Sequence, residues 1–430
     1  QKGVESGESS PDPLISDIMA TLARTQEETN GSGIKFQKVG RFVAQLQLVR
    51  TLRPPPSEGF LEATTSTPPP YNSEKDSFVT GPLRLELRPL VGRLELPRSD
   101  DSNANALTTP WDVFHNISPA DRRGHFLLLP SLLDKDRNWR GQKFTKDDCH
   151  DLVCLTSTIE PAGSMFLGYN SVGAGASQNH IHCHSWPYPT MDSKQEDDDD
   201  SATEPVPLEH DPSAGDFDGN FQYAVADVGK IYDFYDIFDG KVEVSYLNYP
   251  VFCIQMSSSV DNLDLLGKAV AACLEAIGEA PHNIGFLNRI SRFEEESSDS
   301  DHDHDHDHDH DHDSIGDDDQ SELRETDVDD GQIIQQDEER VVDVFLFARS
   351  KERSSLLPTS KLGVSEMMGV FHAQSEAELD TLATMNTIVN EGTGDHEQKC
   401  VMEQALADVS FENEEELWEN IVTNLSVLES

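Results

Sequence analysis

FLGYNSVGAGASQNHIHCHSW, residues 166–186, decides how the chain is read. An apolar, aromatic stretch ending at Asn170 gives way to a loop with Gly173 and Gly175, and then to His180, His182 and His184 at every second position. Side chains of a strand alternate faces, so as a strand this segment projects all three imidazoles from one side. A buried core face does not carry three histidines, because every ring nitrogen there needs a partner. Two chemistries compete. Neutral imidazole is a common zinc ligand. Alternatively, one histidine attacks phosphorus while its neighbours shape the pocket. The loop favours the second: Gly173 and Gly175, with Ser171 and Ser177, let N–H groups and hydroxyls converge on an anion, a cradle that zinc does not require.

Outward from this stretch, the strongest globular signal runs from Trp111 to Trp186. It reads strand (WDVFHNI), strand (HFLLLP), helix, strand (MFLGYN), glycine-rich loop, strand (HIHCHSW). Thr145 is the expected N-cap of the helix, with Asp148 three residues on and Cys149, Leu152 and Val153 on one face. A similar order recurs. Tyr249–Met256 reads as a strand; Asp261 caps a helix whose Leu263, Leu266, Val270, Cys273 and Ile277 recur at helical spacing; Gly278 stops it. His282–Ile290 and Val341–Arg349 follow as strands. Two related β-α-β-β units are therefore expected, the second without three histidines. Elsewhere the sequence predicts a polar segment at 1–13, a short helix at Leu14–Leu22, a strand from Arg41 to Val49 and two short strands at Leu83–Leu96. It also predicts an extended proline-rich stretch at 53–75 and helices at Glu376–Val389 and Glu414–Val427.

Composition explains a conspicuous charge. The 430 residues carry a formal net charge of −49, but 11 acids fall in residues 192–218 and 22 in residues 292–340. Without these two insertions, 354 residues hold 48 acids and 28 bases, a moderately acidic globular balance. Such charge argues against DNA or RNA as a main partner, since phosphate backbones are held by Lys and Arg. No apolar run approaches the ~20 residues of a membrane span, and no membrane association is expected. The N-terminal QKGVESGESSPDP has no hydrophobic signal core; since the chain starts with Gln, a trimmed product with a lost targeting segment stays open. Cys149, Cys154, Cys183, Cys253, Cys273 and Cys400 form no CxxC pair and read as reduced thiols of a cytoplasmic protein. Outside secretion, the N-x-S/T triplets at Asn30, Asn116 and Asn424 carry no weight.

With these residues in place, a resemblance becomes visible. His180 to Trp186 resembles the histidine-triad pattern, and the GASQ-x-H-x-H arrangement is similar to the nucleotidyl-transferring branch that includes galactose-1-phosphate uridylyltransferase and the diadenosine tetraphosphate phosphorylases. The nearest likeness is to the GDP-sugar phosphorylases, GDP-L-galactose phosphorylase of ascorbate synthesis and GDP-D-glucose phosphorylase. It is carried by KVGRFVAQLQLVRTLRPPP (38–56), DVFHNISPADRRGHFLLLP (112–130), FLGYNSVGAGASQNHIHCH (166–184), YPVFCIQM (249–256) and VDVFLFARSKERSSLLP (342–358).

The resemblance implies an α+β fold of two histidine-triad-like β-α-β-β halves with antiparallel sheets and flanking helices, plus disordered acidic insertions. The divisions expected are 1–35, a polar segment with a short helix; 36–190, the catalytic half; 191–220, an acidic linker; and 221–430, a half without the triad, interrupted by the loop 294–338. It further implies that His182 is the nucleophile and takes a guanylyl group, that His180 orients it, and that Asn170 and Ser177 hold phosphates. Ser171, Gly173, Gly175 and Gln178 complete the cradle. GDP-hexose and inorganic phosphate, the co-substrate, would give hexose 1-phosphate and GDP; no cofactor is needed, and relatives of the fold often pair as homodimers. The chain departs from the pattern at His184, where these relatives have Gln. Histidine there is the arrangement of the hydrolase branch, so a GDP-sugar or dinucleotide hydrolase releasing GMP is the rival activity. The rival from another class is a non-catalytic acidic protein that binds metal or a partner.

Other residues rank lower. Asn116 and His125 fall on strands near the expected nucleotide pocket, and Arg122 and Arg123 near the same edge, where a solvated turn is the plainer role. His115, His282 and His372 read as ordinary histidines. The repeat DHDHDHDHDHDHD places His302, His304, His306, His308, His310 and His312 between seven aspartates; it suits weak transition-metal binding, but as a sequence it reads first as a solvated acidic loop. Because each doubling of loop length costs only about 0.6 kcal/mol, replacing residues 296–336 by a short Gly/Ser linker is expected to leave the melting temperature unchanged and turnover within about twofold of the wild type. A large loss of either would make the insertion part of the core or the site.

Overall fold

The computed structural model describes residues 36–47, 70–78, 90–96, 106–116, 124–187, 231–291, 339–389 and 396–430. The helix expected at Leu14–Leu22, residues 1–13, the prolines before residue 70, the strand before Leu90, and both acidic insertions up to Glu339 lie outside the described residues. Chain contacts divide the protein into a large unit, Gln1–Ile290 with Arg340–Ser430, and the segment Ser291–Glu339.

In chain order the large unit begins with β1 (Phe36–Val39), β2 (Phe42–Leu46), β3 (Leu90–Leu94), β4 (Trp111–His115) and β5 (Phe126–Pro130). Helices α1 (Lys135–Asn138) and α2 (Lys146–Ser157) lead to β6 (Met165–Asn170) and β7 (Cys183–Pro187). The succession recurs as β8 (Ile231–Ile237), β9 (Val242–Leu247), β10 (Cys253–Ser259), α3 (Leu263–Ile277), β11 (His282–Ser291) and β12 (Glu339–Ala348). Then come α4 (Val364–Met367), β13 (Val370–Ala373), α5 (Glu376–Leu382), β14 (Met385–Val389), β15 (His396–Cys400), α6 (Val401–Val409) and α7 (Glu414–Leu428).

The fold is mixed α+β. Ten strands form one sheet in the order β3-β4-β5-β7-β6-β11-β12-β10-β9-β8. The order is a palindrome: exchanging β3–β7 for β8–β12 gives the same sequence of strands from the other edge. At its centre β6 and β11 run antiparallel, with Gly168 opposite Gly285. A Cβ on Gly168 would lie 2.5 Å from Val364 Cγ1 and one on Gly285 2.7 Å from Met368 Sδ, so the absence of side chains at this seam admits the α4 segment. β1 and β2 join β13 in a separate three-stranded sheet, β13 running parallel to β2.

The central strands are buried on both faces, which explains their near-continuous apolar character. On β12, Val342, Val344, Leu346 and Ala348 meet the core that includes Leu266, Val270 and Cys273 of α3 and Ile421 of α7, whereas Phe345 and Phe347 meet the other core, formed with β2, β13, α4 and α6. All six cysteines are buried in these two layers.

Helix α2 forms as its sequence predicts. The Thr145 hydroxyl accepts from Asp148 N, and the Asp148 carboxylate accepts from Thr145 N at 2.6 Å, a complete capping box. Within α2 the buried Asp151 carboxylate accepts four hydrogen bonds: from Thr108 N and Oγ1, Thr109 N and Trp111 Nε1. It thereby ties the helix to the start of β4. At α3, Asp261 lies in a 3-10 turn, Val260–Asn262, and not at the cap expected for it; Asn262 is the N-cap and makes no side-chain cap bond. Gly278, with φ +66°, ends the helix as expected. The helix expected over Glu376–Val389 stops at Leu382, because Met385–Val389 pairs antiparallel with the next strand, His396–Cys400, a pairing that helical spacing does not reveal.

Removing a buried carboxylate that satisfies four donors leaves them dry, so Asp151→Ala is expected to cost about 3 kcal/mol in urea unfolding. A loss within about 0.5 kcal/mol, the usual range of an inert surface change, would deny Asp151 this anchoring part.

Candidate functional site

The histidine segment is less regular than a strand. Only Cys183–Pro187 enters the sheet, as β7, pairing Leu128 with Cys183 and Gly168 with His184. Residues 177–180 form a bend and Ile181 and His182 lie outside the sheet, their N–H groups going to the loop before α2: Ile181 N donates to Arg140 O and His182 N to Gln142 Oε1. The alternation survives nonetheless. Ile181 and Cys183 enter the core beneath α2 and α3, and the three imidazoles stand on the opposite side. The His182 and His184 ring centroids are 5.0 Å apart, and the Phe78 ring lies 5.5 and 5.1 Å from those of His180 and His182.

His182 is buried. Its Nδ1 lies 2.7 Å from the His180 carbonyl and 3.0 Å from Gln142 Oε1, both acceptors, so Nδ1 carries the proton and Nε2 the lone pair. This is the tautomer an attacking imidazole needs. His180 is buried too, and its Nδ1 accepts from Phe78 N at 3.4 Å, with Tyr71 Oη at 3.5 Å. Burial, with smaller contributions from His182 and Arg140, lowers its pKa to about 3; the ring is neutral at physiological pH. Arg140 is spent on Asp148, with one guanidinium nitrogen 2.6 Å from each carboxylate oxygen. Burial raises the Asp148 pKa even so.

His184 is half-buried and pairs with one of the lower-ranked residues. Its Nδ1 is 3.0 Å from His125 Nε2, which is itself 3.0 Å from Asn116 Nδ2. The Trp186 ring packs 4.7 Å from that of His125. His115, further along β4, is exposed. Arg122, Arg123 and the histidines of the His-Asp repeat, His302 to His312, lie outside the described residues.

The glycine loop is built by distant partners. Gly173 has φ +79° and Gly175 φ +100°, and a Cβ on Gly175 would lie 2.9 Å from both Gly363 Cα and Leu362 O. Asn283, from β11, donates to Ala174 O and to Asn170 Oδ1, each at 2.7 Å. Several residues expected on phosphate bond to the protein: Asn170 Oδ1 also accepts from Val364 N, the Ser171 hydroxyl accepts from His282 N, and Gln178 Nε2 donates to the Asp76 carbonyl. Ser177 is half-buried on the loop. His282 makes a backbone contact through Nδ1 to Ala280 O, and burial lowers its pKa to about 4. His372 is buried away from the triad, its Nδ1 2.9 Å from Glu366 Oε1.

Sequence reading missed Gln142, Tyr71, Phe78 and Asn283. Gln142 stands 40 residues before His182 in RGQKFT, where nothing in spacing or composition marks it. A cavity of about 190 Å³ opens beside it, lined by Tyr71, Phe144, Asn179, Leu274 and His282 among others. A larger one of about 600 Å³ is lined by Lys146, His150, Lys268 and Glu275 among others, and neither cavity is lined by His180, His182 or His184. Among the described residues no three His, Cys, Asp or Glu side chains are grouped to hold a metal ion, and no helix is long and apolar enough to cross a membrane.

No family model matches the chain, and no curated protein does. Solved structures similar to it include yeast Ap4A phosphorylase Apa2, at 12% identity and TM-score 0.42, covering 93% of this chain and 95% of that one. The AMP complex of that enzyme gives 12%, 0.41, 94% and 98%, and its Ap4A complex 13%, 0.41, 93% and 98%. At such TM-scores the likeness adds no argument about this chain.

Gly175 offers a direct check on the loop. Gly175→Ala combines a positive φ with a clash against immovable backbone and is expected to destabilise by about 3 kcal/mol, whereas Gly240→Ala, with φ +78° and open space, should cost about 1 kcal/mol. Equal losses in thermal unfolding would mean that the loop is not seated on the 362–363 backbone.

Proposed function

We propose that the protein is a histidine-triad-type nucleotidyltransferase that cleaves GDP-hexose with inorganic phosphate. The observation that carries this is the Nδ1–H of His182 held on the His180 carbonyl at 2.7 Å, which puts the lone pair on Nε2, the nitrogen that would attack phosphorus. The GDP-sugar substrate rests on the sequence resemblance. On this view β3–β7 and β8–β12 are two histidine-triad-like halves, and the second has lost the triad: its β12 reads VVDVFLFA at 341–348.

In the first step His182 Nε2 attacks the α-phosphorus of GDP-hexose. The Nε2–P bond forms, the bond from phosphorus to the bridging oxygen breaks, and hexose 1-phosphate departs with the electron pair. In the second, a phosphate oxygen attacks the guanylyl-histidine, GDP leaves and the imidazole is restored. Splitting one displacement between two anions into two steps is the service of a covalent nucleophile. The glycine loop and Ser177 would offer donors to the non-bridging oxygens as charge develops there. No cofactor enters either step.

The His184–His125 pair favours a second reading, hydrolysis to GMP. An imidazole can take or deliver a proton, and so activate a water, where the Gln of the phosphorylases can only donate and accept hydrogen bonds. One experiment separates the two: GDP-hexose incubated with and without phosphate from about pH 5.5 to 8.5, scoring GDP against GMP, for the wild type, His182→Asn and His184→Gln. The wild type should yield GDP with phosphate and, without it, accumulate an acid-labile GMP adduct on His182. His182→Asn should keep its fold and lose turnover by several orders of magnitude, and His184→Gln should raise the GDP to GMP ratio. Adduct on His180 or His184 would sink the assignment, and absence of both products under every condition would favour a non-catalytic acidic protein.

A further inference from the structure

Gln142 is 5% exposed, and its side-chain amide has no unused capacity. Oε1 accepts from His182 N at 2.9 Å and lies 3.0 Å from His182 Nδ1; Nε2 donates to the carbonyls of His182, at 2.9 Å, and Asn170, at 2.8 Å. Its backbone is held as firmly: Gln142 N donates to Asn179 Oδ1 at 3.0 Å, and its carbonyl accepts from Tyr169 Oη at 2.8 Å. Three of these six contacts fall on one histidine. An amide held this way cannot flip, because the exchange would oppose donor to donor at His182 N and acceptor to acceptor at two carbonyls.

We infer that Gln142 is the positioning residue of the nucleophile: it holds the Nδ1–H form of His182 and fixes the plane in which Nε2 points, acting from the loop before α2. The inference rests on the proposed attack by His182. The His180 carbonyl by itself selects the tautomer of the ring. A second oxygen beside the same N–H confines it. Once Nε2 bonds to phosphorus, the ring carries positive charge with Nδ1–H still in place, and the two neutral oxygens stabilise that charge without removing the proton. The proton therefore stays on Nδ1 through both steps. Gln142 also joins the nucleophile to the cradle, since the same NH2 group holds the backbone carbonyls of His182 and Asn170.

Two substitutions test this on the full chain: Gln142→Met, which keeps length and loses the hydrogen bonds, and Gln142→Glu, which sets a carboxylate against Nδ1. The titratable and charged groups around His182 are His180 and His184, His125 behind His184, and Arg140 with Asp148; none is altered by either change. Turnover of Gln142→Met should fall roughly 10–100-fold, the range of a lost orienting partner, with KM for GDP-hexose within about threefold. The acid limb of the turnover profile should move to lower pH in Gln142→Met, where an acceptor for the proton is gone, and to higher pH in Gln142→Glu, where an anion retains it. Limbs that stay put, or move together, would overturn the inference.

A second arm needs no substrate. With 15N-labelled histidine, and His182→Asn to assign the signal, His182 should show a protonated Nδ1 and an unprotonated Nε2 in the wild type, a mixture of tautomers in Gln142→Met, and two protonated nitrogens near neutrality in Gln142→Glu. Should Gln142→Met fail to fold, Gln142→Glu carries the same readout. Unaltered tautomers in a folded variant overturn the inference even if the enzyme is active; an inactive wild type with the expected tautomers overturns the functional reading alone.

Discussion

A single buried cation organises the surroundings of the glycine loop. The Arg349 side chain is fully buried, and no carboxylate touches it; its guanidinium donates instead to Asn283 Oδ1, Leu362 O, Lys351 O and Glu352 O. Taking a charge out of water is costly, and here burial lowers the pKa to about 10, opposed by the negative charges of Glu352 and Glu366, while four oriented dipoles satisfy the guanidinium N–H groups. In return the segment 351–363 is held in one conformation. Asn283 passes the constraint on, because the amide that accepts from Arg349 donates to Ala174 O in the loop and to Asn170 at the end of β6.

The site follows from that arrangement. Gly175 lies against the backbone of Leu362 and Gly363 with no room for a methyl group, so the loop rests on a surface that Arg349 has already fixed. From the other side, the segment 70–78 closes over the histidines, Gln178 holding the Asp76 carbonyl while Phe78 covers the rings of His180 and His182. His182 is thus placed between a loop seated on the Leu362–Gly363 backbone and a cover set by a segment about a hundred residues earlier in the chain. The acid–base groups are arranged unevenly around it: His180 is kept neutral by burial, whereas His184, nearer the solvent, has a histidine partner.

What the sequence revealed was local. The capping box at Thr145, the stop at Gly278, the burial of α2 and α3 and the shared face of the three histidines all arise from contacts within a few residues, and all could be read from spacing. What it concealed was the partner across the fold. Met385–Val389 looks helical until His396–Cys400 is brought beside it, and the strand expected through His180 ends at Cys183 because Arg140 and Gln142 take the backbone bonds that a neighbouring strand would have taken. The bonds of Asn170 to Val364 and of Gln178 to Asp76 could not be read from residues 166–186. Likewise His125 and Asn116 acquire a part only through β5 lying next to β7.

The cysteine between the second and third histidines has a consequence for redox chemistry. Alternation that turns His182 and His184 to one side turns Cys183 to the other, into the core, where burial raises its pKa well above that of a free thiol. Cys149, Cys253 and Cys273 are raised in the same way. A thiol that is neither ionised nor reachable reacts poorly with peroxide or with a disulfide. The segment that bears the three histidines therefore carries its sulfur in the core, where an oxidant meets neither a thiolate nor an accessible thiol.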